Sequence, residues 1–295
     1  MIDLFSMAGI TKQALWKYHK RLESKTDLID RTLRIIRKIR RRHKRMSCRS
    51  IYYFPQVTPP VGRDSFEAIG FEHGFRLKRR RNKQSTTWSQ NVEVFPNRIE
   101  GRTLNNMNQV WQSDIFYYEE KGITFYGVTI IDVYSRRLLS LHLSKSLRAA
   151  ENVKALRKAI KCRSGQNLVG CVFHSDRGSQ YISDVHKNLL THHGMKKSMC
   201  KLPQENAYAE RVQDTIKNYY LCDAQLVGKD LNRVASQIMR KYNYERPHSE
   251  LNMIPPIAYE KLVEKLSKRA RPKMLIFKWD HELSTKTEFL TKRKR

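Results

Sequence analysis

Two hydrophobic rhythms divide the chain, and the change falls near Val110. Upstream, Ile29, Leu33 and Ile36 recur at helical spacing within a run dense in Lys and Arg. Thr26 followed by Asp27 supplies an N-cap and an acidic first turn. These features predict an amphipathic helix with a basic outer face. Earlier, residues 4–16 read as a short apolar helix ending at Gly9 and a second helix capped by Thr11, with Leu15 and Trp16 facing inward. That texture fits a helix-turn-helix and equally a plain helical hairpin. Pro55, Pro59, Pro60, Gly62, Gly70 and Gly74 then punctuate a less regular stretch. Within it, residues 64–71 predict one short helix, and a second basic run (76–81) leads into an extended connector through Thr86-Thr87-Trp88 to Pro96-Asn97.

Beyond Val110 the period shortens. Residues 110–118, 123–133 and 138–143 read as strands with short connections, which implies an antiparallel meander. Residues 148–161 predict a helix with Val153, Leu156 and Ile160 on one stripe. A short apolar strand (168–173) follows, then a helix (183–193) capped by Ser183 and stopped by Gly194, then a strand (195–200). Asn206 opens a long helix. Strands separated by helices imply parallel pairing through right-handed crossovers.

Composition narrows the function. The 295 residues include 58 Lys+Arg against 28 Asp+Glu, a formal net charge of +30. Charge of that size repels itself in a compact state unless a polyanion neutralises it. Ten of the cations fall in residues 31–49, where the density favours phosphate contact over an ordinary solvated helix face. Hydrophobic content of 40% suffices for a packed core and argues against wholesale disorder. No apolar run approaches the roughly 20 residues of a membrane span, and Met1-Ile2-Asp3-Leu4 lacks the layout of a signal peptide. Five scattered cysteines with no CxxC pair argue against a disulfide framework or a cysteine zinc site. The balance is that of a reduced, intracellular protein facing nucleic acid.

Three acids stand out by position. Asp114 lies mid-strand, Asp176 directly follows an apolar strand, and Glu210 sits in the first turns of a helix. Carboxylates placed in apolar surroundings are costly without a compensating cation. Their convergence, which the sequence permits, would suit magnesium, a hard ion that takes carboxylate oxygens. Two such ions roughly 4 Å apart can serve phosphodiester chemistry. Lys217, seven residues after Glu210, shares its helix face. Glu205 is a rival acid, but it precedes the helix. Asp132, with Ser135 and Arg136 beside it, reads as a brace of the hairpin rather than a fourth ligand. His174 reads as a packed histidine or as a contact to substrate or metal-bound water.

Five segments in order resemble a known family: Asn108-Gln109-Val110-Trp111-Gln112-Ser113-Asp114, Ile131-Asp132-Val133-Tyr134-Ser135-Arg136-Arg137, residues 174–181, Asn206-Ala207-Tyr208-Ala209-Glu210, and Tyr242-Asn243-Tyr244-Glu245-Arg246-Pro247-His248. Together they span about 108–259 and resemble DDE transposases and retroviral-type integrases, most of all the second-frame transposases of bacterial insertion sequences. The resemblance implies an α/β fold with a ribonuclease H-like, mixed five-stranded sheet flanked by helices. Its expected parts are a helical, basic DNA-binding region (1–50), an irregular basic connector (51–105), the catalytic core (106–262) and a basic tail (263–295). It further implies that Asp114, Asp176 and Glu210 hold two Mg2+ ions, with Mn2+ as a substitute, Asp114 bridging them. The implied activity is metal-dependent DNA strand cleavage and strand transfer at element ends; the alternative is a non-catalytic DNA-binding protein on a decayed core. A ribonuclease H-type nuclease would explain the acids but not the basic N-terminal half. Lys217 is implied as a contact to element-end phosphates, Arg211 and Gln213 as weaker ones, and Arg40, Arg41 and Arg42 as contacts from the basic helix. The implied partners are double-stranded DNA, further copies of the chain on that DNA, and a companion from an upstream frame. The implied setting is the bacterial cytoplasm, at the nucleoid. Thirty-three residues separate Asp176 from Glu210, slightly fewer than is usual for the family, and the deficit falls in 201–205.

Overall fold

The structure, a computed structural model, describes Gly9 and residues 11–77 and 95–277. The first half of the expected helix-turn-helix, most of the second basic run, the middle of the connector and the end of the basic tail lie outside the described residues.

Helix α1 (Lys12–Arg42) begins where Thr11 accepts a hydrogen bond from the Ala14 amide (3.1 Å). It does not restart at Thr26. The Thr26 hydroxyl instead donates to the Leu22 carbonyl (2.9 Å), the bond one turn back that lets a threonine stay inside a helix. Trp16, expected to face inward, is 61% exposed beneath the Lys20 ammonium. The predicted stripe does bury Leu33 and Ile36. Ile36 packs with Met46, with Cys48 and Ile51 of α2 (Cys48–Tyr52) and with Phe66 of α3 (Arg63–Glu72). This small core joins residues on both sides of position 50.

A two-residue strand, β1 (Thr103–Leu104), leads into the meander of β2 (Val110–Glu120), β3 (Ile123–Asp132) and β4 (Leu138–Ser144). Then come α4 (Ala149–Cys162), β5 (Val172–Ser175), α5 (Asp184–His192) and β6 (Lys196–Met199). Helix α6 (Ala207–Thr215) continues as a π-helical turn, Ile216–Tyr220. Two helices with no counterpart in the sequence reading follow, α7 (Leu231–Arg240) and α8 (Pro256–Glu264). Strand β7 (Met274–Leu275) returns to pair with β1.

The main sheet has the order β4-β3-β2-β5-β6, antiparallel through the meander and parallel from β2 to β5 to β6. The long β2 is its central strand. One face packs on α6 and α7 through Phe116, Ile131, Leu141, Val212, Ile216 and Ile238. The other packs on α4 and α5 through Trp111, Ile130, Leu156, Ala159 and Leu190. The expected α/β architecture is the one observed.

Two local differences have physical causes. Strand β5 starts four residues later than the apolar run, because Gly170 turns with φ +80 and leaves Leu168 to pack from the loop. The strand therefore carries His174 and Ser175 directly up to Asp176. Ser183 occupies the cap position of α5, but its side chain makes no capping bond.

Phe116 and Gly127 pair directly across β2 and β3, and a Cβ on Gly127 would lie 2.1 Å from the Phe116 ring. Gly127→Ala is expected to destabilise the fold by about 1–3 kcal/mol, the usual cost of overpacking a rigid site. Urea unfolding of the variant against wild type measures it.

Asp132 closes the hairpin, as its neighbours suggested. Its Oδ1 accepts from the Ser135 amide (2.9 Å) and its Oδ2 from the Asn108 amide (2.6 Å). The wholly buried Arg163 spans from Asp132 Oδ2 (3.4 Å) to Glu260 on α8, where its Nη1 donates at 2.9 Å. Arg137 and Ser135 also donate to Glu260, both at 2.6 Å. Burial alone would push the Glu260 carboxyl up, but hydrogen bonds and charge from the two arginines hold it below the ordinary range.

Candidate catalytic site

Gln112, Asp114 and Phe116 alternate along β2 onto the face that α6 covers. Ser113 is paired with Ser175 in the parallel β2–β5 ladder. Continuing that register by one residue brings Asp176 opposite Asp114, on adjacent strands about 4.8 Å apart. Two acids with 61 residues between them thus become neighbours, one in the middle of the central strand and one just past the end of the strand beside it.

Helix α6 is clamped over them by polar side chains. The Gln112 amide donates to the Glu205 carbonyl (3.0 Å) and accepts from the Ala209 amide (3.2 Å). Asn206 Nδ2 donates to the Ser113 carbonyl (3.0 Å). Gln213 Nε2 donates to Asp114 Oδ2 (2.8 Å) and to the Ile115 carbonyl (3.0 Å). Gln213 lies three residues after Glu210, so the two share a helix face turned toward Asp114.

The remaining bonds orient each aspartate. Asp114 Oδ1 accepts from the Ile115 amide (2.8 Å), and Asp176 Oδ1 accepts from the Gly178 amide (3.1 Å). Glu210 is exposed and accepts no hydrogen bond among the described residues. Burial raises the Asp114 carboxyl to about 8, with the charges of Asp176 and Glu210 adding to the effect; the Ile115 amide and Lys217 oppose it. Burial also raises Asp176, and partial burial of its carboxyl raises Glu210 despite that residue's exposure.

Among the described residues no three acidic, histidine or cysteine side chains close into a ready-made metal cage. The charges of Asp176 and Glu210 both act on Asp114, and Lys217 is the cation that Asp114 feels. The donors are all carboxylate oxygens, a set that fits a hard divalent cation rather than a thiophilic one.

The other expected residues sort differently. Glu205 closes the turn before α6, its Oε2 accepting from the Lys201 amide (2.5 Å). His174 is packed inside the sheet against Ser198 (2.9 Å), and burial lowers it to about 4. Arg211 is exposed, 4.0 Å from Glu250. Lys217 lies over the Phe116 ring. Arg40 turns inward, donating to the carbonyls of Met46 (3.2 Å) and Phe75 (2.6 Å), so its guanidinium is committed within the N-terminal unit. Arg42 donates to Glu245 (2.6 Å), and Arg41 is exposed.

The sequence passed over Gln112 and offered Gln213 only as a weaker candidate than Lys217 for contact with element-end DNA. The available signal was a buried-position glutamine in an otherwise apolar strand, two residues before Asp114.

Arg41, Arg42 and Lys44 also line a cleft of about 750 Å3 with Lys229, Arg233 and Lys241 from the region of α7. Arg41, Lys44, Lys229 and Arg233 have no ion-pair partner among the described residues. Among those residues no helix is long and apolar enough to cross a membrane.

The integrase core domain matches residues 105–202, and a second integrase core domain matches residues 194–256. The chain is 31% identical over 205 residues to an uncharacterised 31 kDa protein of insertion element IS600 from Shigella sonnei, covering 68% of this chain and 75% of that one. It is 29% identical over 160 residues to the transposase of IS904 from Lactococcus lactis, covering 52% and 62% of the two chains. Against InsK, named as a transposase of IS150 in Escherichia coli, it is 28% identical and spans 54% of that protein. Solved structures with a similar course include the HTLV-2 integrase catalytic core in complex with magnesium (TM-score 0.43, 18% identity, 56% of this chain and 99% of that one). Another is the simian T-cell lymphotropic virus intasome (TM-score 0.48, 16% identity, 72% and 70%). The chain belongs to the DDE transposase and integrase superfamily, among the proteins of bacterial insertion sequences.

Proposed function

We propose that this chain is a DNA transposase that cuts a phosphodiester at an element end and joins the freed 3′-hydroxyl to a second strand. The observation that carries the reading is the placement of Asp114 beside the Asp176 strand end, under a helix that presents Glu210. Asp114, Asp176 and Glu210 would hold Mg2+, with Mn2+ able to replace it. Magnesium in such a site activates the attacking oxygen and stabilises the leaving one. The chain's own residues supply position: the Gln112, Asn206 and Gln213 bonds fix α6 against β2, and Lys217 offers a cation for the flanking phosphates.

The basic cleft is the proposed track for the neighbouring duplex. Helix α6 and its π turn lead from Glu210 to Tyr220 at the cleft edge, about 15 Å at 1.5 Å per residue. Arg41, Lys44, Lys229 and Arg233 are the phosphate contacts assigned to it, with Arg40 replaced in that role by its neighbours. Joining two ends needs two active sites, so the acting species is an oligomer on DNA, with an upstream-frame companion as a further member.

Strand-transfer assays with magnesium on duplexes carrying the flanking inverted repeats test the reading. Joined product with wild type and none with Asp176→Ala supports it. Metal-dependent cutting of arbitrary RNA–DNA hybrids without joining contradicts it.

Gln213 is a positioning residue in this account. Gln213→Ala frees Asp114 Oδ2 and is expected to lower magnesium affinity or joining rate about 10–100-fold, as loss of a group that orients a ligand does. A magnesium titration of the joining rate separates the two effects. A variant with an unchanged midpoint and rate removes Gln213 from the site.

A further inference from the structure

On the flank of α6 turned away from the acids lies a cavity of about 320 Å3. Its wall includes Arg136, which is 6% exposed. The turn that follows β3 holds this residue in the left-handed region at φ +58, a conformation that persists only where the surroundings impose it. The Arg136 guanidinium lies 4.2 Å from the centre of the Tyr208 ring, and among the described residues its Nη2 reaches only the Met274 sulfur (3.3 Å). Among the described residues its buried Nη1 finds no hydrogen-bond partner, and neither does Nδ1 of His248 on the same wall. No carboxylate pairs with Arg136 among the described residues. A buried guanidinium without an anion is costly, and stacking on one tyrosine offsets only part of that cost. Arg211 brings a second cation to the rim, 4.0 Å from Glu250, the one carboxylate there among the described residues. Burial holds His248 near 3, and the charges of Arg136, Arg246 and Arg211 push it the same way.

We infer that this cavity is a phosphate site, with Arg136 as its buried anchor and Arg211 as its gate-side cation. Tyr208 and Arg211 flank Glu210 on the same helix, so the site lies around the corner from the acids by roughly 10 Å, the width of a helix. Backbone phosphates one or two nucleotides from a strand held at the acids reach that far. The DNA form of this inference rests on the transposase reading; the phosphate site itself does not.

Thermal unfolding of the full chain in sodium phosphate against sodium chloride of matched ionic strength tests it. Phosphate is expected to raise Tm for wild type and for Glu210→Gln, and not for Arg136→Gln. Arg211→Gln, at an exposed position that does not endanger folding, is expected to weaken the apparent phosphate affinity by about tenfold, the size of one charge-assisted contact. Two sources of phosphate are then separated with end duplexes in which single phosphates are replaced by methylphosphonates. One position that costs wild type about tenfold in affinity and Arg136→Gln nothing identifies a DNA phosphate as the occupant; equal affinities at every position identify the free ion. A chain that binds phosphate through Arg136 yet never joins DNA sinks the transposase reading and leaves the site standing. No phosphate effect beyond chloride, or the same effect in both arginine variants as in wild type, overturns the site.

Discussion

Asp114→Asn and Asp176→Asn are each expected to abolish strand joining while leaving DNA binding unchanged or tighter. The amide keeps the size of the carboxylate, and an oxygen remains to accept from the Ile115 amide at position 114 or the Gly178 amide at position 176. What is lost is the charge that a divalent ion needs. Charge stabilisation by a bound metal is worth several kcal/mol, and each 1.36 kcal/mol is tenfold in rate, so a loss of about 1000-fold or more is expected. Folding should not suffer, because the charge removed is the one that burial and the other acids penalise. Joining rates, filter binding of end duplexes and thermal unfolding on the same preparations separate these effects. A variant that joins within tenfold of wild type contradicts the assignment.

Arg163→Ala is expected to be the most destabilising single change away from the acids. Arg163 is the wholly buried cation between Asp132 at the end of β3 and Glu260 on α8. Its removal leaves two buried carboxylates with only Arg137, Ser135 and backbone amides to answer them. Breaking a buried ion pair from one side costs about 3–5 kcal/mol, which lowers Tm by on the order of 10 °C at this size. A triple replacement by apolar residues of similar volume, Arg163→Met with Asp132→Leu and Glu260→Met, should cost less than the single change, because no buried charge is then left alone. Calorimetry of both variants is the check; a single variant within 1 °C of wild type would show that water or rearrangement replaces the guanidinium.

Much of the core was legible because it repeats locally. An acid in the middle of a strand singled out Asp114, and the Asn206–Glu210 motif located the third acid on a helix. Features built from long-range contact were not legible. Arg163 and Glu260 meet across 97 residues, and Gln213 finds Asp114 across 99; no periodicity marks such pairs. Local signals also misled where tertiary context decides. Thr26 has the chemistry of a cap but bonds within one long helix, and Arg40 looks like any cation of its run until the chain returns at Phe75 to accept its bond. Gly170, by turning before β5, moved the strand forward and delivered Asp176 to its end.

The most direct measurement is Mn2+ binding to the full chain on an end duplex, located by anomalous diffraction at the manganese edge. Manganese is expected among the carboxylates of Asp114, Asp176 and Glu210, with occupancy lost in Asp114→Asn. Manganese bound elsewhere, or bound equally well by that variant, would contradict that placement.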